Sequence, residues 1–170
     1  MESSLRRDVL IVSATPLIRD VLHEVFLTAH YQCLLAANGH KAIGKFHQWR
    51  PSLVVTDYNL PDVCGSQLLQ DLRREDLDAA VIILCGLVLK RAGKVIGFMD
   101  VDGVRRACLE LGAYAVLEKP VQVEELLLFA DRARKSRQSK AAVSNMTRQP
   151  IERRPTVLIL TIDSPPIEGD

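Results

Sequence analysis

Short unbroken runs of Val, Ile and Leu alternate with amphipathic stretches from the N-terminus to about residue 135. No other feature constrains the fold as much. Val9–Val12, Leu53–Thr56 and Val81–Leu84 are apolar or nearly so throughout, the pattern of strands buried on both faces. Tyr31–Ala36 and Ala115–Leu117 bring the set to five. Between the first two, Leu17, Ile18, Val21, Leu22, Val25 and Phe26 recur at helical spacing, with Thr15 placed as N-cap and Pro16 at the first helical position. A helix over about Val104–Leu111 is expected to stop at Gly112. Another, over Val123–Lys135, carries Glu124 and Glu125 early and Arg132, Arg134 and Lys135 late, which complements the helix dipole. Strands that alternate with helices predict an α/β, doubly wound parallel sheet covered on both faces. Right-handed crossovers then bring the carboxyl ends of the strands to one edge.

Composition narrows the class. Of 170 residues, 48% are apolar and 25% charged, enough to bury a real core in one domain with an appendage. Net charge is +1, from 22 basic and 21 acidic side chains, and no like-charge block suggests a nucleic-acid surface. No leader-like apolar segment and no run of about 18 apolar residues occurs, so the expectation is a cytoplasmic protein without membrane contact. Cys33, Cys64, Cys85 and Cys108 are scattered without a CxxC and read as small hydrophobes, not a zinc site or disulfide frame. His23, His30, His40 and His47 read as surface or half-buried residues.

The domain proper is expected over residues 1–137. Within it, residues 88–100 make the connection after Val81–Leu84 long and carry an apolar patch, Val95–Met99, which should be at least partly covered. Residues 138–155 read as a polar linker. Residues 156–170 form a tail that opens with "TVLILTI" and is broken by Pro165 and Pro166. So apolar a β run is expected to dock as a strand, on its own sheet or on a second copy in a homodimer. The 35 residues after Lys135 fall short of the roughly 50 of a further domain.

The strand ends carry the candidate chemistry. "LIVSATPLIRD" ends its strand on Ser13, Ala14 and Thr15, with no charge. "LVVTDYNLPD" puts Asp57 just past the third strand, "VIILCG" puts Cys85 past the fourth and "VLEKP" puts Lys119 past the fifth. Asp57 and Lys119 should come within ion-pairing distance. On residues alone, such a pair reads equally as structural support or as a site. No GxGxxG opens the first helix, which argues against nucleotide binding.

The order and spacing of "DVLIV", "PLIRDVL", "AANGHKAI", "VVTDYNLPDVCG", "VIILCG", "LELGAYAVLEKP" and "EELL", from about Asp8 to Arg134, resemble the response-regulator receiver domain of two-component phosphorelay signalling. The resemblance implies a flavodoxin-like sheet of order 2-1-3-4-5. It implies Asp57 as phosphoacceptor, Lys119 as the residue that holds the phosphoryl oxygen, and Asp57 with the Asn59 carbonyl as metal ligands. The family's acidic pair falls on Ser13 and Ala14, its switch Ser/Thr on Cys85 and its switch aromatic on Val116. A receiver site usually holds three carboxylates and one lysine, balanced by Mg²⁺; here Asp57 and Lys119 already balance. The expectation is therefore a degenerate receiver. It binds Mg²⁺ weakly if at all, is phosphorylated poorly or not at all on Asp57, and has no enzymatic turnover. It acts through contacts with a sensor histidine kinase or other signalling protein. Two rivals remain: a phosphorylatable receiver with unusual metal binding, and a small enzyme using Cys85 and Lys119, the thiol pKa being lowered by Lys119. In the family frame, residues 88–100 are an atypical insertion, expected on the fourth-helix side near the site.

Overall fold

The computed structural model describes residues 8–91 and 94–147. In chain order the elements are β1 (Val9–Val12), α1 (Pro16–Thr28), β2 (Cys33–Ala36), α2 (Gly39–Trp49), β3 (Leu53–Asp57), α3 (Gly65–Glu75) and β4 (Ala80–Cys85). These are followed by β5 (Val88–Arg91), β6 (Lys94–Phe98), α4 (Val101–Glu110), β7 (Ala115–Glu118) and α5 (Val123–Thr147). Five strands form a parallel sheet in the order β2-β1-β3-β4-β7. With β5 and β6 set aside, this is the flavodoxin-like 2-1-3-4-5 arrangement.

The apolar strand runs work because alternate residues face opposite sides. Leu10, Val12, Val54, Val81 and Ile83 pack with Phe46, Leu68, Leu69, Leu72 and Cys108 of α2, α3 and α4. Val9, Ile11, Val55, Ile82 and Leu84 pack with Leu22 and Phe26 of α1 and Leu126, Ala130 and Ala133 of α5. Each fully buried side chain of this size contributes about 1.5–3 kcal/mol, so the two layers hold the strands in one register. Gly112 lies past the end of α4 at φ +93°. Its N–H bonds the Leu109 carbonyl at 3.0 Å, and Ala113 bonds that of Cys108 at 2.9 Å, which is the Schellman closure that a left-handed glycine permits.

One expectation needs correction here, the end of α5 with the linker after it, and three others gain detail. Thr15 is the N-cap residue of α1 but makes no side-chain cap bond. α5 does not end near Lys135; it continues to Thr147, so residues 138–147 are helix and not linker. Lys, Ala and Gln are good helix formers, and the extension is tied to the loop before β4 by Arg137–Asp76 at 3.0 Å and Lys140–Asp78 at 2.9 Å. The long connection after β4 contains an antiparallel hairpin, β5–β6. Its patch is covered only in part: Val95, Ile96 and Phe98 are 59%, 63% and 84% exposed, while Met99 packs on the core, on the α2/α3/α4 face. The run Thr156–Ile162 lies outside the described residues.

Candidate functional site

The parallel register sets the site. Val12 pairs with Thr56, Asp57 with Leu84 and Leu84 with Leu117, so Ser13 emerges level with Asp57, and Lys119 follows two residues past that level. Asp57 is the last residue of β3 and is buried. Its Oδ1 accepts from Lys119 Nζ at 2.5 Å, and its Oδ2 accepts from Ser13 Oγ at 2.5 Å. Ser13 is itself fully buried, fixed by its N–H to the Ala36 carbonyl at 3.1 Å. Its Oγ also accepts from the Thr15 N–H at 3.3 Å. A buried carboxylate persists only when paired and hydrogen-bonded, and here both of its oxygens are.

The other strand-end residues part company. Ala14 is exposed and brings no donor. Asn59 sits in the loop two residues past Asp57, where it bridges Cys64. Cys85 is fully buried, and its thiol donates toward Met99 Sδ at 3.1 Å. Burial pushes the Cys85 thiol up, Glu118 adds to this, and Arg105 and Lys119 offset it only in part. The expected lowering by Lys119 is thus reversed, because desolvation of a thiolate outweighs a cation that is already engaged with Asp57. Val116 is buried in the core beside α4 and carries no ring.

Two participants were missed. Arg19, on α1, donates from Nη1 to the Ser13 carbonyl at 2.5 Å, which brings a second cation to the rim; "PLIRD" contained it but gave no reason to aim it. Asp62 accepts from the Gly39 and His40 N–H groups, each at 2.9 Å, and from the His40 ring at 2.5 Å. Burial pushes the Asp62 carboxyl up, but these bonds prevail and hold it well below the usual carboxylate range. The loop after β3 is thereby pinned to the N-terminus of α2, where a negative charge is favoured. The same loop closes through the Gly65 N–H to the Tyr58 carbonyl at 2.6 Å. A Cβ on Gly65 would stand 2.9 Å from the Tyr58 Cα, so only glycine fits.

Beside Lys119 an apolar groove of about 310 Å³ runs between α1 and the start of α5, lined by Leu17, Val21, Val25, Pro120, Val121 and Val123 among others. Leu17 is 71% exposed and Val21 52%. Among the described residues, no three His, Cys, Asp or Glu side chains converge as a metal site, and no helix is long and apolar enough to cross a membrane.

Comparison with known proteins completes this picture. The family model described as "Response regulator receiver domain" matches residues 9–131. Sporulation initiation phosphotransferase F of Bacillus subtilis (strain 168) is 30% identical over 122 residues, which cover 72% of this chain and 89% of that protein. Sensor histidine kinase RcsC of Escherichia coli (strain K12) is 30% identical over 135 residues, 77% of this chain but only 13% of the kinase. A response regulator receiver domain protein from Clostridium thermocellum has the same fold, with a TM-score of 0.68 at 19% identity over 77% of this chain and 96% of that one. With the fold, the Asp57–Lys119 pair and these matches together, the chain belongs to the response regulator receiver domain family of two-component signalling.

Proposed function

We propose that this receiver domain is phosphorylated poorly or not at all on Asp57, binds Mg²⁺ weakly if at all, and signals through protein contacts without turnover of its own. The observation that supports this is the Ser13 Oγ to Asp57 Oδ2 bond of 2.5 Å, at the strand end where the family's acidic pair would stand. One carboxylate, one hydroxyl and the Asn59 carbonyl fit a hard divalent cation poorly, since such an ion wants several anionic oxygens. Both Asp57 oxygens already serve Lys119 and Ser13, and a hydroxyl that donates to the carboxylate makes it a poorer nucleophile. Phosphoryl transfer works by positioning and charge neutralisation. Here that neutralisation falls to Lys119, with Arg19 at the rim, and Cys85 presents a weaker donor than a hydroxyl.

A sensor histidine kinase or another signalling protein is the proposed partner. The groove between α1 and α5 supports this reading: it is apolar, it opens beside Lys119, and an amphipathic helix would fill it. Nucleic acid and membrane are not proposed as partners, in line with the balanced charge. The thiol-enzyme reading gains nothing from a buried Cys85 whose thiol is pushed up.

Incubation with a small acyl phosphate and millimolar Mg²⁺, read by intact mass, tests the proposal. The expected spectrum shows the unmodified chain. A complete mass gain of one phosphoryl group, lost in Asp57→Asn, would establish instead a phosphorylatable receiver with unusual metal binding.

A further inference from the structure

The β5–β6 hairpin is unfinished. It is a two-stranded sheet joined by no third strand among the described residues. It touches the domain at its base, through the Met99 N–H to the Leu87 carbonyl at 2.9 Å and through Met99 against Cys85. Val95, Ile96 and Phe98 are all exposed. A lone hairpin is marginal in water, and its outer edges present unpaired backbone groups. We infer that the outer edge of β6 is a docking site for the Thr156–Ile162 segment of a second copy of this chain, so that two copies exchange strands in a homodimer.

Three observations select this occupant. First, "TVLILTI" is a β-rich run that lies outside the described residues, and Pro165 and Pro166 follow it. Second, the charges complement each other. Leu87–Phe98 carries Lys90, Arg91 and Lys94 and no acid, whereas Thr156–Asp170 carries Asp163, Glu168 and Asp170 and no base. Antiparallel addition to β6 brings the C-terminal end of the run, with Asp163, alongside Lys94.

Third, reach excludes the hairpin of the same chain. α5 starts beside the strand ends and runs away from them, from Val123 to Thr147, a length of about 36 Å at 1.5 Å per residue. It packs on the α1 face, and Met99 at the hairpin base packs on the opposite one. From Thr147 the chain to Thr156 spans at most about 32 Å even when fully extended. The segment therefore falls short of its own hairpin, and strand addition must come from another molecule.

Light scattering on the full chain after size exclusion tests this. The expected particle mass is twice 18.9 kDa. Ile159→Pro in the run, or Ile96→Asp with Phe98→Asp on the hairpin, should each give a monomer, with the dissociation constant raised roughly tenfold to a hundredfold. An equimolar mixture of the two should restore a heterodimer, because one intact run meets one intact hairpin. Ile96 and Phe98 are exposed, and circular dichroism melts check that each variant folds. Should one not fold, Lys94→Glu weakens the dimer and Asp163→Lys added to it restores pairing. A monomeric parent chain overturns the inference. So does a dimer that survives either variant, a mixture that fails to pair, or a charge exchange without effect.

Discussion

Two loops leave neighbouring strands of one sheet and have opposite characters. The loop after β3 is closed on itself by Gly65 and Tyr58 and pinned to α2 by Asp62, and it begins at a buried carboxylate whose oxygens are both satisfied. The connection after β4 grows into a hairpin with exposed apolar residues, held at its base. The first is satisfied within the domain, and the second leaves its apolar side chains in solvent. The contrast separates a strand-end site whose carboxylate is already paired from a hairpin whose apolar side chains stay exposed.

The largest way to break the contrast is to unsettle the site. Lys119→Met should destabilise the domain by about 3 kcal/mol in urea denaturation, because it leaves the Asp57 carboxylate buried beside an apolar side chain. Asp57→Asn added to it should recover much of the loss, and a negligible cost for Lys119→Met alone would show that the pair does not hold the site. Ser13→Ala removes the donor to Asp57 Oδ2 and should cost about 1–3 kcal/mol in the same assay.

The pinned loop offers a smaller effect. Asp62→Asn should cost about 1 kcal/mol, as the loss of a charged partner at a helix N-terminus does. Its pH dependence has a definite sign. The folded carboxyl lies below its ordinary value of 3.8, so the contribution is full above about pH 4 and fades as the pH falls through the lowered value. The stability difference between parent and variant should thus shrink on acidification below that point, and a constant difference would contradict the assignment. Smallest of all, replacing Val88–Phe98 with a short Gly-Ser link at fixed monomer state should shift domain stability by no more than about 0.5 kcal/mol, as calorimetry would show, since the core does not depend on the hairpin.

The sheet and the ends of its strands were legible because a strand buried on both faces must be apolar at every position, and Val9–Val12 or Val81–Leu84 has no other use. The approach of Asp57 to Lys119 followed from topology alone. The α5 extension was not legible, because Gln138–Lys140 is polar whether it is linker or exposed helix, and its anchors, Asp76 and Asp78, are distant in sequence. The hairpin was hidden by Lys90, Arg91 and Lys94, which break the apolar runs of its strands. Partial cover for Val95–Met99 was expected from apolarity, and Met99 supplies it while Val95, Ile96 and Phe98 stay exposed. The aim of Arg19 at the Ser13 carbonyl and the contact of Cys85 with Met99 depend on side-chain directions that spacing does not encode.

The central claim is that Ser13 and Ala14 leave this strand end settled without a divalent ion. Titration of Mg²⁺ into the parent chain and into Ser13→Asp with Ala14→Asp, followed by calorimetry and by the amide resonances of Asp57 and Lys119, tests it most directly. The account predicts no saturable binding by the parent at millimolar Mg²⁺, and saturable binding by the variant with two carboxylates restored. Tight, saturable Mg²⁺ binding by the parent chain at Asp57 would contradict it.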